Sequence, residues 1–252
     1  MERKTEHAYV AVLLLIRQQL MHWNFRRVVS DFEDAIINAF RYVFQIEVQG
    51  CYFHSVNAMG NHARLTISIQ ILHYFPEIKN IVRLCCVLPL LPQHLIQQGF
   101  EIIGEMAMEE LNIFLYTCFA RPYLEYIQYE WLYHATRGPT LSVSGSEHRT
   151  NNASESNNRR MKRSIGVHHP NIYHFIRHLV DFEDMALDNF NSLTGAILPN
   201  RHRNHESISN DAYIMAITSQ LMVNNNPNDE QILTFLISAA VTLEDIFAEL
   251  FH

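Results

Sequence analysis

Two acidic residues lie where a carboxylate could act as a ligand or a catalytic group. Asp31 stands just beyond residues 25–29, a short β-branched run that reads as a strand, and it precedes an amphipathic helical stretch. In open α/β sheets, ligands and catalytic groups collect at the carboxyl ends of the strands. Glu155 is the only acid in the polar stretch RTNNASESNNRR, residues 149 to 160, which has no large apolar residue. Both acids are therefore candidate site residues.

Helix capping is the alternative explanation for both acids. Ser30-Asp31-Phe32-Glu33 has the pattern of a capping box, in which Ser30 is the N-cap and Glu33 reaches back. Asn152 stands three positions before Glu155 and could begin a helix in the same way. Taken alone, the local pattern favours capping at both positions.

Cys51 and His54 form a CxxH pair just beyond a second strand-like run, residues 46–53. A structural zinc site needs four ligands, and no second pair stands at ligand spacing, so a buried cysteine and a hydrogen-bonded histidine are favoured. The four cysteines show neither a CxxC pair nor a disulfide spacing. This pattern indicates a reduced, intracellular protein, nuclear or cytoplasmic rather than secreted.

Positive charge is concentrated in one short run. The chain has a formal net charge of −7, which repels phosphate, so a nucleic-acid contact requires a local basic patch. The densest candidate consists of Arg159, Arg160, Lys162 and Arg163, for which a solvated helix face is the alternative. The aromatic passage YLEYIQYEWLYH, residues 123 to 134, could stack on bases, but packing in a core is favoured.

The elements that position these residues are mostly helical. Helix at 5–20, strand at 25–29, helix from Phe32 and strand at 46–53 form a βαβ unit behind a leading helix, which implies two parallel strands. A long helical block then runs from about 55 to 135. Further helices are predicted near Asn152, after Pro170, and at 210–223 and 229–251. No segment approaches the length of a membrane helix.

Taken together, several stretches resemble the Mutator-like element (MULE) transposase domain, a branch of the RNase H-like DDE transposases. The matching text is KTEHAY, VVSDFEDAIINAF, VQGCYFH, VRLCCVLPLLP, and RTNNASESNNRR followed by HHPNIYHFI. The matches occur in the family's order over about residues 4 to 180. The combination is specific, whereas each piece by itself is weak.

The resemblance implies a fold and a reaction. The fold is a partial RNase H-like domain over residues 1–190, α/β but mostly helical, with the block at about 55–135 as an all-α insertion. Residues 191–252 would form a linker and a C-terminal helical extension. The reaction is DNA cleavage and rejoining by metal-dependent phosphoryl transfer, in which three acids hold two Mg²⁺ or Mn²⁺ ions.

Individual residues acquire roles by the same resemblance. Asp31 looks like the second acid and Glu155 the third, and both would be metal ligands. Cys51 and His54 match a CxxH of the family, with a role left open. DNA contact is implied for residues around Glu155: Arg149, Asn151, Asn152, Arg159, Arg160, Lys162 and Arg163.

The chain also departs from the family pattern. The first acid should lie on a strand ahead of KTEHAY, yet Met1 stands only three residues before it, and neither Glu2 nor Glu6 follows a strand. We therefore expect an N-terminally truncated domain, with an open sheet edge, that is inactive alone and need not bind the metal. Ser156-Asn157-Asn158 also replaces the bulkier residues often found after the third acid.

Three interpretations follow from this departure. The first is a transposase-derived protein with an incomplete nuclease. The second is a non-catalytic helical protein that binds DNA or a protein partner. The third is a longer reading frame that supplies the missing acid upstream of Met1. Self-association through the helical insertion or the C-terminal helices is open in each of them.

Overall fold

The computed structural model describes residues 4–19, 25–167, 169–194, 205–223, 226–243 and 247. The chain divides into two compact units. The first contains residues 1–150 and 210–252, and the second contains residues 151–209. The boundary near residue 190, which came from the family resemblance, stays a prediction.

The first unit begins with the expected helix and βαβ arrangement. Helix α1 spans Glu6–Gln19, strand β1 Arg27–Ser30, helix α2 Asp34–Phe44 and strand β2 Glu47–Gly50. The two strands are parallel, in a register that pairs Arg27 with Glu47 and Ser30 with Gly50. Within the described residues the sheet has only these two strands, so the prediction of a mostly helical chain with two parallel strands is confirmed.

Helix α1 packs against α2 in a small core of its own. Leu13, Ala39 and Val43 are its buried members. The Arg17 guanidinium donates a hydrogen bond to the Val43 carbonyl oxygen at 2.7 Å, which fixes the end of α2 to α1. Four apolar side chains of α1 remain exposed: Val12, Leu14, Leu15 and Ile16.

The long helical block forms the main body of the molecule. Its helices are α3 (Tyr52–Thr66), α4 (Ile69–Tyr74), α5 (Pro76–Val87), α6 (Ile96–Glu110), α7 (Ile113–Leu115) and α8 (Arg121–Ile127). Pro76 occupies the first turn of α5, where its missing N–H costs no intrahelical bond. Most of the fully buried large side chains of the described structure belong to this block. The prediction of a helical region after β2 is therefore confirmed.

Two π-helical turns interrupt the last part of this block. They lie at Tyr116–Ala120 and Gln128–Leu132, on either side of α8. Tyr123 and Trp131 are buried, and Tyr126 packs partly buried against the core, where its ring stacks on His62 at 3.5 Å. Packing is thus confirmed for these three residues, whereas Tyr129 is exposed.

From residue 210 onward, the C-terminal helices belong to the same unit as the block. Helix α11 spans His205–Leu221 and α12 Asp229–Ala240. Helix α12 packs against α5 and α6 and buries Ile232, Phe235 and Leu236. The Arg83 guanidinium donates to the Ala240 carbonyl oxygen at 3.0 Å. The apolar face of α12 is therefore covered by the helical block.

The second unit is a helical hairpin. Helix α9 spans Asn152–Ile165 and α10 spans Ile172–Thr194. Gly166 ends α9 with a left-handed φ of 69°, a conformation that glycine adopts without strain. No described side chain between residues 151 and 188 is buried. The two helices therefore contact each other but enclose no core.

The structure confirms that a helix begins at Asn152, but it corrects the N-cap residues. Helix α2 begins at Asp34 with Glu33 as its N-cap, and α9 begins at Asn152 with Asn151 as its N-cap; neither has a side-chain capping bond. Phe32 is instead held in place by packing, because its ring meets Trp131 edge-on at 4.9 Å between centroids. No helix in the described part of the chain is long and apolar enough to cross a bilayer.

Candidate functional site

The two parallel strands place Asp31 beside Cys51. Asp31 follows the last residue of β1, Cys51 follows the last residue of β2, and the register pairs Ser30 with Gly50. The Cys51 N–H donates to the Ser30 carbonyl oxygen at 2.9 Å, which continues the strand pairing by one step. Asp31 and the start of the CxxH pair therefore lie at the same carboxyl edge of the sheet.

His54 contacts Asp31 directly. Its Nδ1 lies 3.2 Å from Asp31 Oδ1, and the two side chains are 35% and 56% exposed. Since α3 begins at Tyr52, His54 projects from the first turn of this helix back toward the strand edge. Cys51, in contrast, is fully buried. The CxxH pair thus consists of a buried cysteine and a histidine that contacts Asp31.

Close packing holds this edge in place. A Cβ at Gly50 would lie 2.1 Å from Cζ of Phe32, so only glycine fits beneath the Phe32 ring. The same ring packs on Trp131. The segment from Asp31 to Phe32 is therefore fixed between β2 and the end of the helical block.

The chain that leads to Glu155 is hydrogen-bonded to the end of β2. Gln49 Nε2 donates to the His148 carbonyl oxygen at 2.9 Å. The Tyr52 N–H donates to the Arg149 carbonyl oxygen at 2.8 Å. Residues 148 and 149 consequently run alongside the edge that carries Asp31, six positions before Glu155.

Arg149 forms an ion pair with Asp211, and both side chains are largely buried. Asp211 belongs to α11, so this pair ties the residue-149 segment to a C-terminal helix of the same unit. The guanidinium expected to contact DNA is thus engaged inside the first unit.

Glu155 lies in the first turn of α9. Its N–H donates to the Asn151 carbonyl oxygen at 3.1 Å, and its Oε2 lies 3.5 Å from the Arg159 guanidinium. The Glu155 side chain is 28% exposed, Asn151 is half-buried and Asn152 is exposed. The structure places Glu155 and Asp31 in different compact units.

The basic run lies on α9, with four cations against the single acid Glu155. Arg159 pairs with Glu155, and the Arg160 guanidinium lies 5.6 Å from the centre of the Phe182 ring. Lys162 and Arg163 are exposed in the last turn, where positive charge complements the helix dipole. The helix keeps an excess of three positive charges in a chain whose net charge is negative.

A second acid–histidine pair was not predicted from the sequence. His134 Nε2 lies 3.7 Å from Asp34 Oδ2, at the start of α2. The backbone N–H groups of Thr136 and Arg137 donate to His134 Nδ1 at 3.3 Å, which leaves Nε2 as the ring nitrogen that faces the carboxylate. No local pattern indicates this pair, because the two residues are separated by 100 positions.

The donor set does not fit a two-metal centre. Such a centre needs several carboxylates that converge on the ions. Within the described residues, no group of three or more His, Cys, Asp or Glu side chains is arranged to hold a metal ion. Asp31 faces His54 instead, and no catalytic step through a metal can be derived from this arrangement.

Comparison of the chain with protein-family models, with curated proteins and with solved structures finds no match.

Proposed function

We propose that this chain is a transposase-derived protein whose DDE nuclease domain is incomplete, and that it does not cut or join DNA by itself. The MULE resemblance supplies the family, and the RNase H-like fold is part of the proposal. The contact between Asp31 and His54 carries the argument. It joins the acid and the histidine of two matching motifs, VVSDFEDAIINAF and VQGCYFH, at the carboxyl edge of a parallel strand pair.

The hydrogen bonds of residues 148 and 149 add a second line of support. A DDE nuclease needs its acids near one sheet edge although they are distant in sequence. The segment that precedes Glu155 is bonded to Gln49 and Tyr52 at the end of β2. This connection is expected if Glu155 corresponds to the third acid of the MULE family.

The proposed inactivity rests on the donor set. Mg²⁺ or Mn²⁺ in the parent reaction would stabilise the attacking and leaving oxygens of the phosphoryl transfer. Asp31 and Glu155 supply two carboxylates, which contact His54 and Arg159. The chain would therefore keep the scaffold of the nuclease domain but lack its phosphoryl-transfer activity, in the nucleus or the cytoplasm.

A cleavage assay tests the proposal. The purified full chain is incubated with supercoiled plasmid or with a labelled duplex, in Mg²⁺ or Mn²⁺. We expect no nicking and no joining above a buffer control. Metal-dependent cleavage that Asp31→Asn or Glu155→Gln abolishes, and that Glu47→Gln leaves intact, would overturn the proposed inactivity.

DNA binding without cleavage is the second candidate, and the charge of α9 favours it. A patch of four cations binds phosphates in a salt-dependent way. Replacing Arg159, Arg160, Lys162 and Arg163 by glutamine should weaken a mobility shift on duplex DNA. It should also reduce the slope of log K against log salt by about 3.6, which is 0.9 for each of the four phosphate contacts.

The matched control removes the same charge from the other unit. The exposed cations Lys4, Arg26, Arg64 and Arg121 are changed to glutamine. This variant has the same net charge as the α9 variant and should bind DNA like the unaltered chain. Equal weakening in both variants, or no shift at low salt, would rule out α9 as the DNA contact.

A further inference from the structure

Helix α10 carries an exposed apolar stripe along one face. Ile172, Ile176, Val180 and Leu187 are between 51% and 60% exposed, and Leu179 is 36% exposed. Their spacing of three and four positions places them on one side of a helix. Glu183 is the one charged residue on the same side. Such a stripe on a surface helix is normally covered.

Helix α9 covers a different face of α10. His174 Nε2 lies 3.1 Å from the Ile165 carbonyl oxygen, and His178 Nδ1 lies 3.3 Å from Ser164 Oγ. Phe182 receives the Arg160 guanidinium. His174, His178 and Phe182 follow one another at four-residue intervals, about 145° around the helix from the centre of the stripe at 100° per residue. The hairpin's own contact therefore leaves the stripe uncovered.

Charge is distributed unequally along α10. The first half of the described helix has Arg177 and no acid, whereas the second half has Asp181, Glu183, Asp184 and Asp188. A parallel second copy would bring acids against acids. An antiparallel copy brings the basic half of each helix against the acidic half of the other, which is favourable in both places.

We propose that the stripe pairs α10 of two copies of this chain in an antiparallel arrangement. The two-fold axis passes between Leu179 and Val180. Ile172 then lies level with the partner's Leu187, and Ile176 lies level with the partner's Glu183. Apart from Ile176, which meets the partner's Glu183, the apolar positions cover each other symmetrically, and every contact occurs twice.

Arg177 supplies the specificity of the pairing. It stands on the same flank of the stripe as Asp184, two helical turns away along its own helix. In the antiparallel pair, Arg177 faces the partner's Asp184 and Asp184 faces the partner's Arg177. Within one copy the two side chains are about 10 Å apart along the axis, which is too far for a direct ion pair.

Sedimentation equilibrium of the full chain tests the pairing. We expect a dimer that Val180→Glu converts to a monomer, because two carboxylates would meet at the axis. Ile113→Glu is the control, since Ile113 is 78% exposed on the helical body and outside the stripe. It should leave the dimer intact. A chain that is monomeric at every concentration would overturn the proposal.

A charge exchange tests the direction of pairing. Arg177→Asp and Asp184→Arg alone should each weaken dimerisation about tenfold, because each removes two ion pairs and adds repulsion. The double variant should regain the original affinity, since both pairs are restored with reversed sign. Failure of the double variant to recover would contradict the antiparallel register.

Disulfide trapping distinguishes antiparallel from parallel helices. In a Cys118→Ser background, the remaining cysteines are buried. Val180→Cys should cross-link to itself across the axis. Ile172→Cys should not, because its two copies would lie about 22 Å apart, but it should cross-link to Leu187→Cys in a mixture of the two variants. Self-cross-linking of Ile172→Cys would favour the parallel pair and reject the proposal.

Discussion

The helical body and the hairpin of α9 and α10 contain similar helices, but only one of them has a core. In the body, Leu84 and Ile103 are completely buried, and α12 covers α5 and α6. In the hairpin, no described side chain between residues 151 and 188 is buried. An amphipathic helix gains most of its stability from the face that it buries. An amphipathic pattern alone therefore does not make a core, because each apolar stripe also needs enough neighbouring helices to cover it.

The largest expected difference concerns deletion of a leucine. Leu84→Ala should lower the free energy of unfolding by about 2–5 kcal/mol, since it leaves a cavity in a closed core. Leu187→Ala in dilute, monomeric protein should change it by less than about 0.5 kcal/mol, because Leu187 is 57% exposed. Urea titrations followed by circular dichroism measure both. Similar losses would mean that the hairpin is packed as firmly as the body.

An intermediate effect is expected from a pair of asparagine caps. Asn228 forms a complete capping box with Gln231 at the start of α12, and Asn171 accepts a bond from the His174 N–H at 2.9 Å. Asn228→Ala should reduce global stability by about 1 kcal/mol. Asn171→Ala should leave the global midpoint unchanged and speed amide exchange only in α10, because the hairpin opens separately. A shift of the global midpoint by Asn171→Ala would show that the two units unfold together.

The smallest effect is a pH dependence in the body. Burial lowers the pKa of His62, partly offset by the nearby Glu130 carboxylate, so the folded chain favours the neutral ring that stacks on Tyr126. The unfolded chain then binds more protons, and stability should fall as pH drops from about 6.5 toward the lowered pKa. His62→Phe keeps a ring in the stack and should flatten this slope between pH 7 and 5. An unchanged slope would assign the acid sensitivity to other groups.

Much of the first unit could be predicted from periodicity. The apolar stripe of α2 predicted a helix, and its place between two short β-branched runs, around Val29 and Val48, predicted two parallel strands joined by a crossover. Placement of Asp31 and His54 at one edge followed from that topology. The helix start at Asn152 was predicted, but neither α2 nor α9 has the expected side-chain capping bond. Local rules also carry no information about a distant partner such as Trp131, which packs on Phe32.

Contacts between distant segments could not be predicted. His134 reaches Asp34, and Arg149 reaches Asp211, without any spacing or composition that marks either pair. Their geometry depends on how the helical block and the C-terminal helices close around the core. The role of Glu155 as a site residue stays a prediction from the resemblance. Glu155 is the one acid in the first turn of α9, and it contacts Arg159.

The π-helical turn at Gln128–Leu132 has a consequence for insertions and deletions. A π-turn accommodates one residue more than the α-helix would, so removing a single residue there is conformationally easy. The same deletion within α8 itself has no extra residue to absorb it, and it would rotate every later side chain by about 100° relative to the start of that helix. Trp131 would lose its place against Phe32, and the segment that carries Asp31 would lose its support. A one-residue change of length within α8 would thus disturb the strand edge that carries Asp31. A substitution of the exposed Tyr129 would not disturb it.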